Sequence, residues 1–169
     1  ECYDKVARVI GVGYPGGPVI DKMATIGEHE YNLPIPLNDE TYNFSFSGLK
    51  SAVINLVHNK AQRGEEVNKE NLAKSFQDVV VDIITRKTMK ALKEKNVNYL
   101  IVAGGVAANK GIRNKLEELC KKENIECHCP DFKYCTDNAT MIGAAAFVAY
   151  KKGIKSDTKL NAKPGETLV

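Results

Sequence analysis

The stretch that most constrains the fold is NYLIVAGGVAANKGIRNKLEEL, residues 98–119. Its apolar run, residues 99–103, predicts a buried strand, and the pattern over residues 108–122 predicts a helix. Gly104 and Gly105 stand at the corner between the two. A strand that turns directly into a helix is typical of α/β proteins, in which helices cover a sheet.

The rest of the chain alternates in the same way, with few strands for its length. Residues 1–67 are predicted to be a helical linking segment with a short strand, residues 68–153 an α/β subdomain, and residues 154–169 a polar tail. The predicted helices span residues 1–10, 18–27, 48–64, 69–95 and 138–151, and the further strands span residues 43–47 and 125–129. Because the first residue is Glu1 and the first helix begins in mid-pattern, we expect a piece of a larger protein.

The composition is that of an ordinary globular protein. Of 169 residues, 43% are hydrophobic and 27% are charged, and the formal net charge is +3. No apolar run approaches the roughly 20 residues of a membrane span, so no membrane segment is expected. Five cysteines, an odd number without a secretory signal, favour reduced thiols and a cytoplasmic location. Cys127 and Cys129 lack the spacing of a paired zinc knuckle, and we interpret them as core residues on one strand face.

The glycine corner allows two interpretations. Gly104 and Gly105 carry no side chain, so a ligand can approach the backbone there, and the following helix offers free N–H groups to an anion. Asn109, in the first helical turn, can bond a sugar or a base. Alternatively, the corner is only a tight turn and Asn109 is a helix cap. The pattern matches neither the dinucleotide fingerprint nor the phosphate loop.

Three carboxylates are the other candidates for binding. Asp137, in CTDN, is either a helix cap or a carboxylate that handles a metal or a phosphate at a loop tip. Asp4 and Asp21 flank the turn YPGGP, where carboxylates suit ribose hydroxyls. Solvated helix charges are the simpler interpretation of this second pair.

Four ordered motifs carry a resemblance to a known family. Over roughly residues 1–152, the chain resembles the C-terminal half of the tRNA threonylcarbamoyladenosine transferases, formerly called the O-sialoglycoprotein endopeptidase or glycoprotease family. Four motifs in order and at this spacing are far more specific than one glycine pattern. The motifs are YDKVARVIGVGYPGGPVIDK, FSFSGLKSA, VAGGVAANKGIRNKL and CTDNATMIGAAA.

The resemblance implies a fold and an activity. The fold is α/β: the ribonuclease-H-like second domain of the actin, Hsp70 and sugar-kinase superfamily, with flanking helices and the N-terminal half missing. Family members move a threonylcarbamoyl group from threonylcarbamoyl-AMP to the adenosine just 3′ of the tRNA anticodon. They use a bound iron or zinc ion and an ATP- or AMP-type nucleotide, and they act with partner proteins, a paralogue and an ATPase in bacteria.

The resemblance also assigns roles to individual residues. Asp4, Gly17 and Asp21 match positions that contact the substrate, and so does Asn109. The pair Gly104 and Gly105 lies where the superfamily places glycines against adenosine. Asp137 matches the single metal-binding aspartate of this half.

The chain departs from the family pattern in one respect. The family's other metal ligands, a His-x-x-x-His pair, and its phosphate-side glycine loop belong to the N-terminal half, and this sequence has neither. We therefore expect weak metal binding and no transferase activity from this chain alone. A metalloprotease, as the older family name suggests, and a non-catalytic nucleotide-binding module remain as alternatives.

Overall fold

The computed structural model describes residues 1–161 of the chain, which fall into two units, the first ending at Cys135 and the second starting at Thr136. Within the described residues the protein is rich in helix and carries one small sheet. The helices are α1 (Cys2–Val9), α2 (Gly16–Ala24), α3 (Ser47–Gln62), α4 (Lys69–Glu94), α5 (Lys110–Lys122) and α6 (Ala139–Lys151), and the strands are β1 (Tyr99–Ile101) and β2 (Glu126–His128).

Helix α4 is the centre of the first unit. Asn68 caps it by accepting a hydrogen bond from the Asn71 backbone N–H at 3.0 Å, which satisfies one of the free donors of the first turn. Apolar residues recur along α4 at helical spacing, so one stripe is buried beneath α1, α2, α3 and α5. This core includes Val6, Ile20, Leu49, Val53, Leu72, Phe76, Ile83, Ile112 and Leu116.

The sheet is a parallel pair. Tyr99 aligns with Glu126 and Ile101 with His128, and α5 forms the crossover between the strands. Both strands are three residues long, shorter than the five residues predicted for each. Because the strands are parallel, their carboxyl ends meet at one edge, and this edge leads into the glycine corner.

The prediction of a strand over residues 43–47 was wrong. Residues 28–46 instead run alongside α4 without regular structure and are held by polar contacts such as Lys87 Nζ to Asp39 Oδ1 at 2.8 Å. Within the described part of the chain no strand pairs with residues 43–46, so their backbone joins no ladder. Phe44, in the middle of this segment, is 51% exposed.

Several helix ends also differ from the predictions. Helix α2 begins at Gly16 rather than at Pro18. Ser47 is the first residue of α3 and not its cap, because Phe46 holds the cap position. A short 3₁₀ turn, Gly105–Ala108, separates the glycine corner from α5. Turns of this kind are common at helix starts and shift the apparent boundary.

The second unit consists of α6 and the irregular residues that follow it. Asn138 caps the helix by accepting from the Met141 backbone N–H at 3.0 Å. The predicted tail, residues 154–169, falls partly outside the described residues, and the predicted division at residue 67 stays a prediction. No helix in residues 1–161 is both long and apolar enough to cross a membrane.

Candidate functional site

Asn109 stands at the start of α5 and performs the capping role that the sequence allowed. Its Oδ1 accepts a hydrogen bond from the Ile112 backbone N–H at 2.9 Å. Its Nδ2 points the other way and donates to Gln77 Oε1 at 3.1 Å and to Tyr3 Oη at 3.4 Å. The cap and the candidate ligand contact therefore belong to one side chain, and they do not exclude each other.

Asp21 lies next to Asn109 through the same network. Its Oδ1 accepts from Gln77 Nε2 at 2.9 Å, and its Oδ2 accepts from the Lys110 backbone N–H at 3.3 Å. The residue is buried, with 9% of its surface exposed. A buried carboxylate needs such partners, because an unpaired charge in the interior is costly. The interpretation of Asp21 as a solvated helix charge is therefore wrong.

Tyr3 completes the network from α1. Its hydroxyl donates to Gln77 Oε1 at 3.4 Å, and its ring packs edge-on against Phe76 with centroids 5.0 Å apart. Burial, and then the nearby Asp21 carboxylate, raises the pKa of Tyr3. The hydroxyl therefore stays protonated at neutral pH and acts as a neutral donor.

Asp4 joins α1 to the first turn of α2. Its Oδ1 accepts from the Gly16 backbone N–H at 2.7 Å, where the helix dipole favours negative charge. Gly17 is next along the chain, and a Cβ added to it would meet nothing within 4 Å. The structure thus brings the YPGGP turn beside the start of α1 and leaves Gly17 facing open space.

The corner after β1 is open in the same way. Gly104 has φ +86°, a left-handed conformation that glycine adopts without strain. Cβ atoms added at Gly104 and Gly105 would also meet nothing within 4 Å. The turn connects to the polar network, since the Asn109 backbone N–H bonds the Val106 carbonyl at 2.9 Å.

Arg113 holds this corner in place. Its guanidinium donates to the Ala107 carbonyl through Nε at 3.1 Å and Nη2 at 2.9 Å, and to the Pro130 carbonyl at 2.8 Å. It also stacks on the Phe132 ring, with Cζ 4.5 Å from the centroid. One side chain thus ties together the two loops that leave the carboxyl ends of β1 and β2.

A groove of about 380 Å³ opens beside Asp21 and Gln77. Asp21 and Gln77 line it together with Lys110 and Gly111. This volume falls within the range of small-molecule sites, roughly 300–1,000 Å³. Asp21 and Gln77 are therefore reachable from this groove, whereas Asn109, Tyr3 and the glycine corner do not line it.

Asp137 is exposed and precedes α6 in the second unit. Asn138 holds the cap position there, so the prediction of Asp137 as a cap was wrong. Within residues 1–161 no group of three or more His, Cys, Asp or Glu side chains is arranged to hold a metal ion. One carboxylate does not make an iron or zinc site, so the described residues do not fit such a metal by themselves.

Cys127 lies in β2, but Cys129 follows the end of that strand, and both side chains are half-buried, so the prediction of two core residues on one strand face was only partly right. The Sγ atoms of Cys127 and Cys129 are 4.0 Å apart. Burial raises the pKa of Cys129 to about 11, so its thiol stays protonated at neutral pH. Cys127 packs with the buried Cys120 in a small cluster under the sheet.

Sequence reasoning missed three residues of the site: Tyr3, Gln77 and Arg113. A signal existed for Gln77, which lies four residues after Ala73 and three before Val80, inside the buried stripe of α4. A polar side chain on an apolar stripe needs partners. No pattern in the sequence marked Tyr3 or Arg113.

The fold and site define a class of protein. A parallel pair of strands joined by α5 and surrounded by helices is a partial α/β domain, in which an open glycine turn follows the carboxyl end of β1. The family model described as tRNA N6-adenosine threonylcarbamoyltransferase (TsaD) matches residues 1–144. The chain belongs to this family.

Curated relatives of the same name agree with this assignment. The Staphylococcus saprophyticus protein is 53% identical over 162 residues, which cover 95% of this chain and 47% of the relative. The Bacillus cereus (strain ATCC 14579) protein is 53% identical over 167 residues, covering 98% and 49% respectively. The Bacillus subtilis protein is 50% identical over 169 residues, covering 98% and 48%. The chain spans about half the length of the curated relatives it matches.

Proposed function

We propose that this chain is the C-terminal half of a tRNA threonylcarbamoyltransferase and supplies its adenosine-side substrate contacts. The observation that carries the proposal is the junction of Asp21, Gln77 and Asn109 beside an open glycine turn. Carboxylate and amide groups at a helix N-terminus suit a nucleoside, whose hydroxyls and ring edge need both acceptors and donors.

Each predicted residue has a role in this proposal. Gly104 and Gly105 let the backbone lie flat against the adenosine, because no Cβ projects from the corner. Asn109 hydrogen-bonds the nucleoside with the part of its side-chain amide that is not used in capping α5. Asp4 and Asp21 accept from hydroxyl groups, and Gly17 allows close approach at the first turn of α2.

The reaction is an acyl transfer in which these residues bind and orient. The N6 amine of the tRNA adenosine attacks the carbamoyl carbon of threonylcarbamoyl-AMP and loses a proton. A new C–N bond forms, the mixed-anhydride C–O bond breaks, and AMP leaves. Binding of the AMP moiety places the carbonyl of the threonylcarbamoyl group within reach of the amine. Such positioning is a large part of catalysis.

The metal is a separate proposal. Asp137 is the one ligand that this chain would contribute to an iron or zinc ion, and the other ligands would come from residues outside it. The exposure of Asp137 and its freedom from the capping role support this assignment. The metal, when bound, would supply positive charge to the phosphate side of the substrate.

The architecture and partners extend the same proposal. A parallel β–α–β unit with helices around it is what a ribonuclease-H-like second domain of the actin and Hsp70 superfamily contributes. The missing N-terminal half, tRNA, a paralogue and an ATPase are the proposed partners. The cytoplasmic location stays a prediction from the cysteine count.

The test is isothermal titration of this chain with AMP and ATP. We expect the chain to bind AMP with micromolar affinity. Asn109→Ala should weaken this binding at least about tenfold, because it removes one or two hydrogen bonds to the nucleotide. Asn68→Ala is the matched control, because Asn68 caps α4 with the same geometry and lies outside the network. Both variants lose a cap worth about 1 kcal/mol, so only the site explains a difference in AMP affinity.

Two outcomes would count against the proposal. A folded chain that binds neither nucleotide does not hold an adenosine half-site. Equal loss of affinity in both Asn variants assigns the effect to helix stability instead.

Turnover separates the enzyme from a binding module. This chain would be mixed with the part of the Bacillus subtilis relative that it does not cover, then given threonylcarbamoyl-AMP and tRNA. Transfer to tRNA supports the transferase. AMP binding without transfer favours the non-catalytic module.

A further inference from the structure

Gln77 is the buried polar side chain of α4 that bonds side chains of other helices. Thr85 bonds only carbonyls of its own helix, whereas Ser75 also accepts from the backbone of Glu30 and Tyr31. The buried Lys87 reaches Asp39 and Thr41 in the irregular segment before α3. The Gln77 amide, 6% exposed, bonds side chains of α1, α2 and the residue that caps α5. Neither apolar packing nor helix formation requires a glutamine here.

The network fixes the orientation of two amides at once. Gln77 Nε2 donates to the Asp21 carboxylate, and Gln77 Oε1 accepts from Asn109 Nδ2. Turning the Gln77 amide over would place its oxygen against a carboxylate and its nitrogen against another N–H donor. Asn109 has the same restriction, because its Oδ1 already accepts from the Ile112 N–H. Each amide therefore has one allowed orientation.

Gly111 makes room for this arrangement. A Cβ added there would lie 2.9 Å from Gln77 Nε2 and 3.2 Å from a Val81 methyl. The first turn of α5 thus approaches α4 closely enough for the Gln77 amide to reach between Asp21 and Asn109.

We propose that Gln77 is a positioning residue that orients the Asn109 amide and the Asp21 carboxylate for an adenine nucleotide. The inference rests on the proposed function and deepens it. Gln77 acts through its two partners, so most of its contribution to affinity is lost when Asn109 is removed, and only the part that passes through Asp21 remains. A residue with a merely structural role would lower affinity and stability whatever stands at position 109.

The experiment is a double-mutant cycle on this chain, with AMP as the probe in calorimetry. The variants are Gln77→Met, Asn109→Ala and the two combined, with Thr85→Val as the control for losing a buried hydrogen bond on α4. We expect Gln77→Met to weaken AMP binding about tenfold alone and less than about twofold in the Asn109→Ala background. Thr85→Val should leave AMP affinity unchanged.

A second readout needs no ligand. In ¹⁵N NMR spectra of the wild-type chain, the Asn109 side-chain amide should be rigid and slow to exchange. In Gln77→Met it should become mobile. Should that variant fail to fold, Gly111→Ala displaces the Gln77 amide by crowding, and we expect the same loosening and a smaller loss of AMP affinity.

The outcomes separate this inference from the proposed function. An Asn109 amide equally rigid in wild type and Gln77→Met overturns the positioning role, whatever AMP does. Additive losses in the cycle also overturn it. A folded wild-type chain that fails to bind AMP overturns the proposed function. It also overturns the part of this inference that concerns AMP affinity.

Discussion

Gly16 and Gly17 are neighbours in one helical turn and lie in opposite environments. A Cβ at Gly16 would lie 2.6 Å from the Tyr3 carbonyl oxygen and 2.7 Å from the Asp4 Cα, closer than real Cβ contacts occur. A Cβ at Gly17 would meet nothing within 4 Å. The first glycine is required by packing between α1 and α2, whereas nothing in the described residues requires the second.

The corner after β1 resembles Gly17 rather than Gly16. Gly104 has a backbone reason to be glycine, its φ of +86°, but Gly105 has neither a steric reason nor a positive φ. This contrast separates a glycine that packing requires from glycines that the fold leaves open, and the open ones at Gly17 and Gly105 are those that we propose lie against the ligand.

The largest expected effect comes from Gly16→Ala. The added methyl forces α1 and α2 apart, and overpacking of this kind costs about 3 kcal/mol of the free energy of unfolding. Urea denaturation followed by circular dichroism would measure the loss. Gly17→Ala is the matched control and should leave stability unchanged or slightly higher, because alanine favours helix. Equal stability of the two variants would remove the distinction between the packing glycine and the open one.

The sequence predicted the elements that depend on local pattern. Helix α4 was predicted over residues 69–95 and spans Lys69–Glu94, because its apolar stripe is long and regular. The strand over residues 43–47 failed, because two alternating phenylalanines do not supply a neighbouring strand. Local periodicity shows which face of a segment is apolar. Whether the segment forms a strand depends also on a neighbouring strand with which its backbone can hydrogen-bond.

The second prediction concerns a glycine that faces open space. Gly105→Ala should leave the free energy of unfolding within about 0.5 kcal/mol, as for other exposed substitutions. It should weaken AMP binding about tenfold, because the methyl projects into the space proposed for the adenosine. Calorimetry with AMP, paired with denaturation, checks both halves. A variant that binds AMP as well as wild type would show that no ligand lies against this corner.

The site was predictable only in part. Asn109 and Asp21 were named from their positions in the sequence, but the hydrogen bonds that join them pass through Gln77, which is 32 residues before Asn109 and 56 after Asp21. Arg113 contacts carbonyl oxygens of Ala107 and Pro130, and backbone acceptors leave no trace in a side-chain pattern. Polar contacts across elements therefore became visible only in the structure.

The smallest expected effect tests whether the open corner must also be held. Arg113→Lys keeps the charge but loses the planar fork that reaches Ala107 and Pro130 together. We expect a loss of about 1 kcal/mol in the free energy of unfolding, the net value of roughly one hydrogen bond. Because the corner is then free to shift, AMP affinity should fall about threefold, which is less than in Gly105→Ala. Arg63→Lys, a matched change at an exposed residue after α3, should alter neither quantity. If Arg113→Lys lowers stability without changing AMP affinity, then AMP binding requires an open corner but not a rigid one. The corner would then differ from Gly16 only in the free space around its glycines.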